Sequence, residues 1–303
     1  MEDPSHAVDP FDPHHLFGHV QDAPHFDVPQ RLAEEGKIKI WQLSDAFEPF
    51  VDLQLMEADP NWHLAPFDLS FTKFMLLEII AALFLVVFFI PLARKIADGS
   101  PAKGKWANML EVLLVFIRDE VARPTIGRHD ADRFLPFLWT MFFFVLGCNL
   151  LGLAPWAGSA TGALATTFTL AMITFGMVLI TGMARQGILG FWKALVPHME
   201  LPLVMAIFLI PMIFVLELAG LLIKHVVLAV RLLANMVAGH LVLAVLLAFI
   251  LASASHIAFY GVAPVVLAGA TALTLLELFV AFLQAYIFTF LSALFIGTAI
   301  HPH

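Results

Sequence analysis

Residues 201–254 read LPLVMAIFLIPMIFVLELAGLLIKHVVLAVRLLANMVAGHLVLAVLLAFILASA, and Glu217, Lys224 and Arg231 are the only charged side chains among them. As one helix this run would extend ~81 Å, whereas ~20 apolar residues suffice to cross a hydrocarbon core of ~30 Å. No hydrophilic loop marks a turn between 201 and 252, and Pro211 and Gly220 bend a membrane helix without ending it. The next apolar run, 257–300, would measure ~66 Å on the same rise. Each run is therefore two spans or one long, strongly tilted helix. The missing loop favours two long helices, about 201–254 and 262–300, forming an antiparallel hairpin. Their joint falls near 255–263, where Tyr260, Gly261 and Pro264 supply turn chemistry.

The rest of the chain agrees with a membrane protein. Of 303 residues, 60% are hydrophobic and 13% charged, against about 45–50% and about 25% in soluble globular chains. Charge is concentrated at one end: residues 1–70 hold 14 acids and 3 bases, residues 201–303 only two of each. This excludes an ordinary soluble enzyme, and no nucleic-acid partner, cofactor or metal is expected. The single cysteine, Cys148, excludes an internal disulfide and paired-cysteine zinc sites. No apolar stretch precedes about residue 74, so no cleavable signal peptide is expected in 1–70, and no lipidation box is present.

Residues 1–70 read as an acidic, His/Pro-rich arm without a core, and residues 71–303 as the membrane domain. His14, His15 and His19 have metal-like spacing only in a helix, which Pro13 and Gly18 oppose, so a solvated tail is preferred. Residues 74–93 form the first span, and about 134–155 and 164–185 the next two. Arg94, Lys95, Lys103, Lys105, Arg118, Arg123, Arg128 and Arg133 crowd the connection after the first span. The positive-inside rule then puts that connection in the cytoplasm and the arm outside; five spans leave the C-terminus cytoplasmic. Within the connection, apolar residues from Trp106 to Val121 recur near helical spacing, predicting a cytoplasmic amphipathic helix over about 104–123. The preceding GSPAKGK, 99–105, resembles a phosphate loop but lacks its magnesium-binding hydroxyl and leading strand, and reads as a turn. Asn149, Thr161, Thr166 and Thr167 are polar insertions suited to hydrogen bonds between helices.

Glu217, Lys224 and Arg231 are spaced by seven, which leaves consecutive members within ~40° of each other and ~10 Å apart along a helix. Glu277 and Gln284 repeat that spacing on the last run. Two facing polar stripes imply a hydrated path. An arginine at mid-membrane costs roughly 2.5–3.5 kcal/mol and usually faces a bundle interior or a water-filled cavity. The plainer alternative is a buried pair of Arg231 with Glu217 or Glu277 that only locks two helices; Lys224 either snorkels or lines a vestibule. If Gln284 lies level with Arg231 in an antiparallel pair, His240 and Glu277 lie ~13.5 and ~10.5 Å along from that level, at similar depth. A histidine beside a carboxylate can relay protons near neutral pH.

The segment LAVRLLANMVAGH, 228–240, resembles the signature helix of subunit a of the F-type rotary ATP synthase. ELFVAFLQAYIF, 277–288, is similar to that family's last helix, and FLPFLWT, 134–140, and NLLGLAP, 149–155, are also family-like, so the likeness covers about 70–300. The resemblance implies a stator beside a rotating ring of c subunits, with b-type stalk and the remaining synthase subunits as partners, in the cell (inner) membrane. It implies that Arg231 is the essential fixed charge, with Glu217, Asn235, His240, Glu277 and Gln284 on the proton path. In some members the acid and the histidine occupy each other's positions at 240 and 277. Two departures stand out: 159–167 lacks the acid and asparagine many members have there, and Gly152 stands where some have an acid. The chain itself is not expected to act on nucleotide. The rival readings are a stand-alone secondary transporter whose Arg231 binds an anion, opposed by the missing inverted repeat, and a purely structural scaffold.

Overall fold

Long apolar runs without internal breaks must satisfy their backbone within themselves, which in lipid leaves the helix as the open-chain solution. The computed structural model describes residues 25–27, 37–39, 72–96, 104–154, 159–195, 203–254 and 259–301. The helices are α1 (Lys73–Ile96), α2 (Lys105–Phe116), α3 (Arg123–Ile126), α4 (Ala131–Gly152), α5 (Leu164–Gln186), α6 (Ile188–Ala194), α7 (Leu203–Ser253) and α8 (Phe259–Ile300). Five of them, α1, α4, α5, α7 and α8, are long and apolar enough to cross a membrane. The all-α membrane fold expected from hydropathy is what the chain adopts. In the N-terminal arm two three-residue strands, β1 (His25–Asp27) and β2 (Lys37–Lys39), pair antiparallel. The histidines at 14, 15 and 19 and residues 99–103 of the phosphate-loop-like segment lie outside the described residues.

Helices α7 and α8 are continuous over 51 and 42 residues, or ~77 and ~63 Å. Both exceed the ~40–45 Å of a whole bilayer, so they lie steeply inclined to its normal. Pro211 and Pro264 sit inside them without ending them. The hub is α4, of which 56% of the apolar window is buried, against 11% for α7. Leu138 and Val145 of α4, Leu228 and Leu232 of α7, and Phe288 and Ile296 of α8 share one core. Helix α8 packs along α7, α4 and α5, while α1 packs on α4 and on a short turn at Ala160–Gly162.

The amphipathic connection departs from one uniform helix. After Phe116 the chain widens into a π turn, Ile117–Ala122, that brings Ile117, Val121 and Ala122 into the core. A wider turn sets residues i, i+4 and i+5 on one side, which the regular helical period does not. Leu114 of α2 accepts a hydrogen bond from Trp139 Nε1 at 3.0 Å, tying this connection to α4. On its polar side Asp119 accepts from Arg118 at 3.0 Å and from Arg123 at 2.7 Å. Bonded first by Arg118, the Asp119 carboxyl is held below the usual carboxylate range. Gly127, at φ 99, turns the chain into α4 in a region that side chains with a Cβ rarely adopt. Arg185 at the end of α5 pairs with Asp130 in that same corner. The C-terminal end of α8 docks there too: a side chain at Gly297 would run into the Thr125 carbonyl.

Candidate ion-path site

Helices α7 and α8 run antiparallel through the site, since contacts that advance along one retreat along the other. Asn235 Nδ2 donates to Gln284 Oε1 at 2.9 Å, and four residues further on Gly239 lies against the Glu277 carboxylate. A side chain on residue 239 would collide with that carboxylate, so glycine here is what lets Glu277 reach the α7 backbone. Gln284 thus reaches Asn235, four residues along α7 from Arg231.

His240 and Glu277 lie together. With Leu153, Asn235, Met236 and Val280 they line one cavity of about 20 Å³. One water needs roughly 10–15 Å³ on that measure. His240 Nε2 and Glu277 Oε1 are both buried without a protein hydrogen-bond partner, and buried polar atoms of this kind are ordinarily satisfied by water or protein. A histidine and a carboxylate lining a water-sized space have what a proton relay requires.

Arg231 is exposed on the outer face of α7, as are Glu217 and Lys224, while Leu228, Ala229 and Leu232 face the core. Among the described residues Arg231 makes no ion pair, so it is not the buried helix lock of the plainer reading. Glu217 and Arg231 lie fourteen residues apart, ~21 Å along the helix.

The sequence reading singles out neither His225, Ser159 nor Glu78, while it does expect Asn149, Thr161 and Thr166 to bond between helices. His225, next to Lys224, is fully buried between the rings of Phe175 and Phe295, with Nδ1 bonded to the Leu221 carbonyl at 2.8 Å. Asn149, Thr161 and Ser159 join in one buried cluster: Thr161 Oγ1 bonds Asn149 Oδ1 at 2.8 Å and Ser159 Oγ at 2.9 Å, while Asn149 Nδ2 reaches the Ala281 carbonyl of α8 at 3.3 Å. Glu78 of α1 accepts from Thr166 Oγ1 of α5 at 2.6 Å. An acid inside an apolar span is itself a signal for such a partner, but which helix supplies it is not written in the span.

The ATP synthase A chain family matches residues 75–297. ATP synthase subunit a of Chloroherpeton thalassium is 43% identical over 257 residues, 84% of this chain and 72% of the relative. That of Myxococcus xanthus is 41% identical over 239 residues, 78% and 76% of the two chains. That of Chlorobium phaeobacteroides is 38% identical over 298 residues, 93% and 80%. The likeness spans all five long apolar helices and both polar stripes, which displaces the stand-alone transporter, and the chain belongs to the ATP synthase A chain family as a multi-pass membrane subunit of the F-type synthase.

Proposed function

We propose that this chain is the proton-translocating stator of its synthase, with two offset aqueous half-channels separated by Arg231. Protons are taken up from the outer side through His240 and Glu277 and leave on the cytoplasmic side past Glu217, with Lys224 lining that exit. Asn235 and Gln284 hold the two long helices in register beside the crossing point. Arginine does not lose its proton in proteins, so Arg231 remains positive and makes the carboxylate of a passing c subunit shed its proton. Protons then cross only when the ring turns, and rotation drives ATP synthesis elsewhere in the complex.

The observation that carries this reading is the cavity shared by His240 and Glu277, on the same helix pair as Arg231, which is exposed and makes no ion pair among the described residues. A c-ring packs on the face bearing Arg231, and b-type stalk subunits complete the stator. The arm faces outward and the C-terminus the cytoplasm, in the cell inner membrane.

The test is Glu277→Gln in the assembled complex. Proton-driven ATP synthesis in sealed vesicles is expected to fall ~10²-fold, in the range of a lost acid–base group, while assembly stays normal. Full activity would remove the relay from the mechanism. Labelling of a C-terminal tag from either side of intact cells checks orientation, with access from the cytoplasm alone as the expected result.

A further inference from the structure

The proposed outer half-channel lacks an acid at its mouth in the segments around Gly152 and 159–167. The fold brings one from elsewhere. Glu78, in the second turn of α1, meets Thr166, in the first turn of α5, through the 2.6 Å hydrogen bond. Glu78 is half-buried, and all of these groups lie at the end of the bundle where α1 and α5 begin and α4 finishes.

A continuous series of packed side chains links the start of α1 to the relay cavity. Phe74 and Leu77, on the same end of α1, pack against Ala160. Behind that turn, a Cβ on Gly152 would meet Ser159 Oγ at 2.6 Å and Met236 Cε at 2.9 Å, and Met236 lines the cavity. The polar groups there are Asn149, Ser159 and Thr161, and Asn149 ends on the carbonyl of Ala281, one turn from Glu277. Polar groups thus occur at three places from α1 to α8: Glu78 with Thr166, the Asn149–Ser159–Thr161 cluster, and the His240–Glu277 pair.

We infer that Glu78 is the outermost proton-accepting group of the outer half-channel, feeding the His240–Glu277 pair through the Asn149–Thr161 cluster. The Glu78 carboxylate takes a proton from the external water and releases it to a water on the Thr161 side, returning to the carboxylate. This inference rests on the half-channel reading. A clasp between α1 and α5 alone would not need a titratable acceptor, because a glutamine oxygen accepts from Thr166 equally well.

That difference makes the test. Proton-driven ATP synthesis per assembled complex is measured in vesicles for Glu78→Gln, Glu78→Asp, Thr166→Val and Glu277→Gln. Glu78→Gln, which keeps the acceptor but cannot carry a proton, is expected to lower turnover roughly tenfold, less than the ~10²-fold of an irreplaceable acid–base group because water can partly substitute. Glu78→Asp and Thr166→Val, which keep a carboxylate, are expected to stay within about twofold of wild type, because a single hydrogen bond between membrane helices contributes little. The reverse order, with Gln harmless and Asp and Val damaging, overturns the inference, as does a wild-type rate for Glu78→Gln. If Glu78→Gln fails to assemble, a Thr166→Val defect of tenfold or more likewise overturns it, and normal turnover there supports it. Loss of turnover in Glu277→Gln with none in Glu78→Gln refutes this inference alone; normal turnover in both refutes the half-channel reading itself.

Discussion

His225 and Arg231 stand six residues apart on α7 and meet opposite surroundings. His225 is sealed between Phe175 and Phe295, with one ring nitrogen bonded to its own helix and the other unpartnered. Arg231, ~120° around the helix, is exposed and unpaired among the described residues. Both are basic residues in an apolar run, and by composition alone either is a candidate for chemistry. The difference shows that polarity in a membrane helix does not by itself tell a packed position from an open one. A neutral imidazole can be tolerated in the packed seam, whereas a permanent charge must meet water or a partner.

That contrast predicts a graded series. On the proposed mechanism Arg231→Leu should abolish proton-driven ATP synthesis, a loss beyond ~10²-fold, since it would remove the fixed charge that discharges the ring carboxylate. Synthesis rates in vesicles check it, and residual turnover within tenfold would place Arg231 alongside His225 as a packing residue. Gly239→Leu should follow, because its side chain must displace the Glu277 carboxylate. A fall of roughly tenfold or more is expected, approaching the loss of the acid itself, with the complex still assembled on native gels. His225→Leu should leave turnover within about twofold and thermal stability unchanged or raised, because replacing a half-satisfied buried polar group by an apolar one is near neutral. A large loss of activity in that variant would erase the distinction between the two faces.

The smallest effect lies outside the membrane. Arg118, then Arg123, holds Asp119 below its ordinary range. A depressed carboxyl adds stability that is present above its unfolded value and is lost as pH falls through the folded one. The connection between α2 and α4 should therefore be insensitive to pH near neutrality and weaken only in acid. Arg118→Gln should move the Asp119 midpoint upward, as read from its carbon-13 carboxyl shift in the purified chain, with no change in ATP synthesis.

Much of the fold was legible before any coordinates, because membrane insertion depends on summed hydropathy along the chain. The apolar runs, the missing loop in 201–252 and the lone charges of α7 led to the five long helices and the uninterrupted final pair. The site was legible in composition but not in register. The sequence pairs His240 with Glu277 and Glu277 with Gln284, but helical spacing could not reveal that Gln284 bonds Asn235 or that Gly239 lets the Glu277 carboxylate lie against the α7 backbone.

By itself the sequence determined the solvent of this protein, its helical class, the helices that carry charge and, through the residues around Arg231, its family. Hydropathy and helical period are properties of one strand of chain, so they can be read from one strand. Only the tertiary structure decided what surrounds the polar residues: the Leu153 and Met236 lining of the cavity shared by His240 and Glu277, the burial of His225, and the meeting of Glu78 with Thr166 across 88 positions. Those depend on how two helices slide and rotate against each other, and that is set by close packing at a few small residues rather than by any pattern within either helix.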